Sequence, residues 1–227
     1  MKKITLSFPF LEKFSDVFEH GFYIDRFPDV SSDIPKYSHV LQVPKRETIS
    51  MKQVHGSDVI TMDEQPVVPL VGDGLITARR GLFLEIVVAD CAPVYLLDPV
   101  RRAIGLLHCG WRPIANGILE NAVRRMYDEF GVLPDNLRAF VGPCIGNDDY
   151  EVGFELTEFF HSQSFHRKGD SIFLDISGEI IHRLGDLGLH NNNIEKFPVS
   201  TYADEALCSF RRDKNDLRRM SAYLGIR

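Results

Sequence analysis

Three residues, each inside a short and unusual run, could do chemistry together. They are His55 in Gln53-Val54-His55-Gly56, Cys91 in Ala89-Asp90-Cys91-Ala92-Pro93-Val94, and His108 in His108-Cys109-Gly110-Trp111-Arg112-Pro113. Two imidazoles and a thiolate suit zinc, and three protein ligands leave the fourth tetrahedral position open, as in catalytic rather than structural sites. Spacing alone does not enforce this. The three are scattered rather than set as Cys-x-x-Cys or His-x-x-x-His, and eight histidines offer many accidental triples. Two surface or capping histidines and a buried thiol acting as a small hydrophobe would leave the same trace. A further reading makes Cys91 a nucleophile, His108 its base and Asp90 the orienting carboxylate. The second histidine, His55, favours metal over that pair.

Neighbouring residues carry double readings. Asp90 follows an almost uncharged run; it either orients a ligand histidine or moves protons, or it caps the corner through backbone N–H groups. Arg112 follows the only tryptophan at a helix start, which makes either an anion site or a surface salt bridge. Ser209-Phe210-Arg211-Arg212-Asp213 is a phosphate clamp or a solvated basic face. Gly142-Pro143-Cys144-Ile145-Gly146 is a stiff loop that lets substrate approach the backbone, or an ordinary tight turn. Asp73-Gly74 reads first as a plain turn and second as an acid near the metal.

The elements that must position these residues are clearest in the middle of the chain. Leu82–Ala89, Val94–Leu97 and Ala103–His108 are apolar runs of strand length, which places Cys91 and His108 at strand ends. From Pro113 to Phe130 the apolar period becomes helical, with Gly131 as the stop, and Asp175–Leu187 repeats that pattern before Gly188. Leu137–Val141 and Ile194–Val199 read as strands and Gly153–Phe160 as a short helix. In the first fifty residues, Ile4–Phe8, Phe14–Phe18 and His39–Val43 look like short strands and loops, and residues 48–51 like a strand entering the His55 turn. This mixture predicts mixed sheets flanked by helices, without a Rossmann or Walker phosphate loop.

The 227 residues show no linker or repeat, so one domain is expected, and 44% hydrophobic content supports a sizeable core. A formal charge of −6 argues against a nucleic-acid surface. Cysteines 91, 109, 144 and 208 lie in a chain too large to need staples, so reduced thiols and a cytoplasmic location are expected. The apolar start is interrupted by Pro9 and followed at once by charges, unlike a signal peptide, and no run is long enough to span a membrane.

Taken in order, Gln-Val-His-Gly, Asp-Gly-Leu-Ile-Thr, Ala-Asp-Cys-Ala-Pro-Val, His-Cys-Gly-Trp-Arg, Gly-Pro-Cys-Ile-Gly, Tyr150-Glu151-Val152-Gly153 and Ser-Phe-Arg-Arg-Asp closely resemble the laccase-domain family, also called polyphenol-oxidase-like or YfiH-like. The likeness covers about residues 48–227, with a fainter echo at His20-Gly21-Phe22. It implies one α/β mixed (α+β) domain over residues 1–227 and a zinc site of His55, Cys91 and His108, with copper less expected. With the readings of the runs above, the expected catalytic residues are His55, Cys91, His108, Asp90 and Arg112, and the expected substrate contacts are Gln53, Arg112, Gly142, Cys144, Arg211 and Arg212. The implied activity is phosphorolysis of purine nucleosides (adenosine, inosine, guanosine, methylthioadenosine) to free base and ribose 1-phosphate, with adenosine deamination beside it. Copper-dependent polyphenol oxidation and a peptidoglycan-editing Cys/His hydrolase are the alternatives. The expected partners are small molecules, with neither nucleic acid nor membrane, and the chain is expected to be a monomer. It departs from the usual family pattern at Tyr23-Ile24-Asp25-Arg26, Cys109, Pro113, Ser200-Thr201 and Arg218-Arg219.

Overall fold

Strands that are apolar on both faces must be covered on both faces, and the central strands of this chain set its layering. The computed structural model describes residues 4–24, 38–39, 48–214 and 217–227. The elements begin with β1 (Ile4–Leu6), α1 (Pro9–Glu12), β2 (Phe18–Ile24), β3 (Ser38–His39), β4 (Thr48–Ile49), β5 (Val59–Thr61), β6 (Gly74–Thr77), β7 (Phe83–Val88), β8 (Ala92–Asp98) and β9 (Ala103–Cys109). They continue with α2 (Trp111–Ala115), α3 (Ile118–Phe130), β10 (Arg138–Val141), β11 (Glu151–Val152), β12 (Phe165–Lys168), β13 (Ser171–Leu174), α4 (Ile176–Asp186), β14 (Ile194–Lys196) and β15 (Met220–Ile226).

Two mixed six-stranded sheets run β3-β1-β2-β15-β7-β4 and β14-β10-β8-β9-β6-β5, and β11-β13-β12 make a small third sheet. Side-chain alternation divides β9 between two cores. Ile104 and Leu106 face the first sheet, packing with Phe22, Leu84 and Leu224. Ala103, Leu107 and Cys109 face the helices, packing with Ile118, Ala122, Met126 and Ile180. The architecture is therefore sheet, sheet, helices, and it is the mixed α/β fold expected. The β7–β8 corner, Ala89-Asp90-Cys91, carries the chain from the first sheet to the second.

Several elements differ from the sequence reading. Of Phe14–Phe18, only Phe18 is strand, as the first residue of β2; the rest is turn. That turn continues the one after α1, with Phe18 N–H bonded to the Phe14 carbonyl, because Phe10 and Phe14 sit at helical spacing with their rings 6.2 Å apart. The helix expected over Pro113–Phe130 is two helices, broken where Gly117 adopts φ +83°, a left-handed conformation that glycine takes at little cost. Gly153–Phe160 is a 3₁₀ turn over Phe154–Glu158. Strand β2 beyond Phe18 and strands β5, β6, β11, β12, β13 and β15 were not expected from the sequence. Of His39–Val43, positions 40–43 lie outside the described residues, as do Asp25 and Arg26.

Candidate active site

Asp73 organises the site. It immediately precedes β6, which pairs with β9 through Gly74 opposite Leu107, so it stands beside the end of β9. His108 N–H donates to the Asp73 carbonyl at 2.7 Å, and Asp73 Oδ1 lies 2.8 Å from His108 Nδ1. The same carboxylate accepts the backbone N–H groups of Val54, His55 and Gly56 at 3.2, 3.0 and 2.7 Å. That nest holds His55 at φ +57°. Gln53 docks the same turn on β7: its amide donates to the Val87 carbonyl and accepts from the Val87 N–H, both at 2.8 Å.

His55, Cys91 and His108 converge: one donor atom from each lies within 4.8 Å of the others, and the two imidazole rings stand 4.8 Å apart at 73°. The backbone leaves them room. A Cβ at Gly110 would come within 2.7 Å of Cys91 Sγ and 3.6 Å of His55 Cδ2. Two imidazoles, one of them oriented by a carboxylate, and one thiolate make a donor set that fits zinc. Cys109, adjacent in sequence, is fully buried on the opposite face of β9 and takes no part.

The electrostatics favour charged forms. Burial pushes the Cys91 thiol up, but hydrogen bonds from His108 and His55 outweigh it and bring it down to about 7. Burial lowers His108, yet its bonds to Asp73 and Cys91 raise it to about 9. Burial raises Asp73, whereas the bonds from His108 and from the backbone of Gly56 and Val54 leave it below the ordinary carboxylate value. Thiolate and imidazolium therefore stabilise one another, anchored by an ionised Asp73.

A cavity of about 490 Å³ opens beside these three residues. Arg112 and Arg211 both line it, each against an aromatic ring: Arg112 lies 4.4 Å from the Trp111 ring centre and Arg211 5.2 Å from that of Tyr150. Among the described residues neither arginine is paired with a carboxylate. Burial raises the Tyr150 hydroxyl to about 12, which keeps it neutral. Gln53, Asp90, Ile145, Phe210 and Arg219 also line the cavity.

Other expected contacts fall elsewhere. Arg212 does not line the cavity. Its guanidinium is spent on the carbonyls of Thr201, Tyr202, Asp204 and Leu207 and on Asp213, so it braces its own loop. Gly142 is a packing residue, because a Cβ there would meet Pro93 Cγ at 2.7 Å. Cys144 is buried among apolar groups, its thiol pushed up to about 12 chiefly by that burial, and Ile145 lines the wall instead. Asp90 lines the wall, but its carboxylate accepts from Thr201, Ser209 and Arg211; orientation of His108 belongs to Asp73. Tyr150 and Gly110 also line the cavity, and neither carries a local signal of that role in the sequence.

One other group of described residues brings donors together: His161, Glu179 and His182. It is closed as a hydrogen-bond hub. Arg183 donates to Glu179 at 2.6 Å, and Ser164 and the His161 N–H fill the other carboxylate oxygen. All four cysteines are free, and no helix among the described residues is long and apolar enough to cross a membrane.

Comparison with known proteins identifies relatives of this chain. Purine nucleoside phosphorylase YfiH of Escherichia coli is 32% identical over 183 residues, covering 78% of this chain and 72% of the relative. A purine nucleoside phosphorylase of Aquifex aeolicus is 31% identical over 172 residues, covering 76% and 80%. In structure, YfiH of Bacillus licheniformis superposes with a TM-score of 0.84 at 23% identity, covering 100% of this chain and 97% of that one. YlmD of Geobacillus stearothermophilus gives 0.79 at 22% identity, covering 92% of each. The family model described as multi-copper polyphenol oxidoreductase laccase matches residues 17–227, and the chain therefore belongs to this laccase-domain family, alongside the YfiH proteins.

Proposed function

We propose that the chain, acting as one laccase-like domain, is a zinc-dependent purine nucleoside phosphorylase that also deaminates adenosine. The observation that carries this reading is the convergence of His55, Cys91 and His108 beside two arginines that no described carboxylate neutralises. The names of the relatives point the same way. Adenosine, inosine, guanosine and methylthioadenosine are the substrates, with phosphate as co-substrate.

In phosphorolysis a phosphate oxygen forms a bond to the ribose C1′ carbon while the C1′–N bond breaks; the purine leaves with the electron pair and takes up a proton. Arg112 and Arg211 hold the phosphate from two sides of the cavity, and their stacking on Trp111 and Tyr150 limits their freedom before it arrives. Positive charge builds on the ribose ring, and the phosphate so placed stabilises it. His55, Cys91 and His108 would hold the zinc, which supplies a Lewis acid at the cavity wall. Asp73 fixes the tautomer of His108 and the pose of His55 together. Phe210 and Ile145 supply apolar surface for a purine ring.

The copper-oxidase alternative gains little support. Cys109 points away from His108's partners into the helix-side core, so the His108-Cys109 pair does not act as a copper motif. One observation favours a hydrolase reading: Cys91, His108 and Asp73 form a nucleophile–base–orienter line, with Asp73 rather than Asp90 as orienter. Turnover of inosine and adenosine by metal-replete and chelated protein, with and without phosphate, separates the readings. Phosphate- and metal-dependent release of hypoxanthine is the expected result. No nucleoside turnover, with Cys91-dependent hydrolysis of peptidoglycan fragments after chelation, would establish the hydrolase instead.

A further inference from the structure

Asp90 occupies a conformation and a bonding pattern that its neighbours do not explain. It sits at φ +80° in the corner between the two sheets, immediately before Cys91. Both carboxylate oxygens are engaged. Oδ1 accepts from the Thr201 hydroxyl at 2.6 Å, and Oδ2 from the Ser209 hydroxyl at 3.1 Å and the Arg211 N–H at 2.7 Å. Its own carbonyl accepts the Ile145 N–H at 3.0 Å. Thr201 and Ser209 are buried, and the three carboxylate contacts all fall on the chain segment that leads to Arg211.

We propose that Asp90 is a positioning residue that fixes Arg211 at the anion end of the cavity and moves no proton. The inference rests on the phosphate reading above. A long arginine side chain presents its fork reliably only when its backbone is held, and otherwise the ordering cost falls on ligand binding. Asp90 supplies that hold from the same corner that carries Cys91, so one residue ties the metal-ligand corner to the phosphate arm.

The donor types make the proposal separable from acid–base catalysis. A carboxylate only accepts, but two of its three partners are hydroxyls that can rotate to accept instead. Only the Arg211 N–H is an obligatory donor. An asparagine at this position keeps the pattern by turning its carbonyl toward Arg211 and its amide toward Thr201, and it tolerates positive φ as aspartate does. Glycine tolerates that φ and offers no acceptor.

The test uses zinc-loaded protein, with inorganic phosphate binding measured by calorimetry beside inosine turnover at varied phosphate. Asp90→Gly should weaken phosphate binding about tenfold or more, the effect of losing a charge-assisted anchor, with bound metal unchanged. Asp90→Asn should stay within about threefold of the wild type in both phosphate affinity and kcat. Arg211→Ala should weaken phosphate, and Asp90→Gly combined with Arg211→Ala should bind no more weakly than Arg211→Ala alone, the signature of a residue acting through another. Wild-type phosphate affinity in Asp90→Gly, additive losses in the double variant, loss of kcat in Asp90→Asn with phosphate binding intact, or no phosphate binding by the wild type would each overturn the proposal. Should Asp90→Gly not fold, loss of kcat in Asp90→Asn with phosphate binding intact still overturns the proposal. Phosphate binding through this pair without nucleoside turnover would refute phosphorolysis and leave the inference standing; phosphorolysis with unchanged phosphate affinity in Asp90→Gly would do the reverse.

Discussion

Asp73 and His108 are bonded twice, backbone to backbone at 2.7 Å and carboxylate to imidazole at 2.8 Å, so the ring's orientation is set by the strand pairing itself. Because the same carboxylate holds the His55 turn, its loss disturbs two ligands at once. Asp73→Ala should lower zinc affinity by about 100-fold or more, at or beyond the top of the usual range for a partner behind one ligand. Competition with a chromophoric chelator measures it; an affinity within about threefold of the wild type would show that the Asp73 bonds do not hold the ligands in place.

Cys91 and Cys109 should respond in opposite ways. Cys91→Ala removes a donor from the convergent trio and should abolish stoichiometric zinc. Cys109 is fully buried on the helix side of β9, so Cys109→Ala should keep one equivalent of zinc and cost about 1 kcal/mol of stability. Elemental analysis with thermal unfolding reads both, and equal zinc loss in the two variants would contradict the strand alternation.

The three arginines should divide by role. Arg112→Ala and Arg211→Ala should each reduce phosphorolysis about 10- to 100-fold at limiting phosphate, with deamination less affected because it uses no phosphate. Arg212→Ala should act mainly on folding, costing about 2 kcal/mol or more, since it strips donors from four carbonyls in one loop. Unchanged phosphorolysis in both cavity variants would remove the clamp from the mechanism.

Stability should fall in mild acid through His20. Its ring accepts the Phe8 N–H at 3.1 Å, and burial lowers it from 6.5 to about 4. Between those values the unfolded chain takes up a proton that the folded protein refuses. Stability is thus full above pH 6.5 and is lost as pH falls toward about 4, by roughly 3 kcal/mol. His20→Gln, which can still accept the Phe8 bond, should flatten that part of the profile in denaturant titrations; identical slopes for the two proteins would count against it.

Legibility in the sequence followed burial. β7, β8 and β9 were visible because covered strands leave long apolar runs, and the alternation of β9 already separated His108 from Cys109. β5 and β6 were not, because they are three and four residues long and their pairing partner is distant. Arg218-Arg219 hid the start of β15. The ligand trio was legible as unusual runs, whereas Asp73 resembled any Asp-Gly turn: its meaning lies in partners 17 to 35 residues away. Gly142 and Arg212 misled for a related reason, since glycine beside a neighbour's ring and arginine capping its own loop look locally like ligand contacts.

The corner at Ala89-Asp90-Cys91 passes between the two sheets, while His55 and His108 arrive through β6 and β9 of the second. β8 and β9 pair with Pro93 opposite His108, so Cys91 and His108 meet within the second sheet, and Asp73 at the head of β6 joins His55 to them. A bound ion would report on the assembly of the second sheet, whose ligands come from segments up to 53 residues apart. It would raise the melting temperature in proportion to the logarithm of free metal.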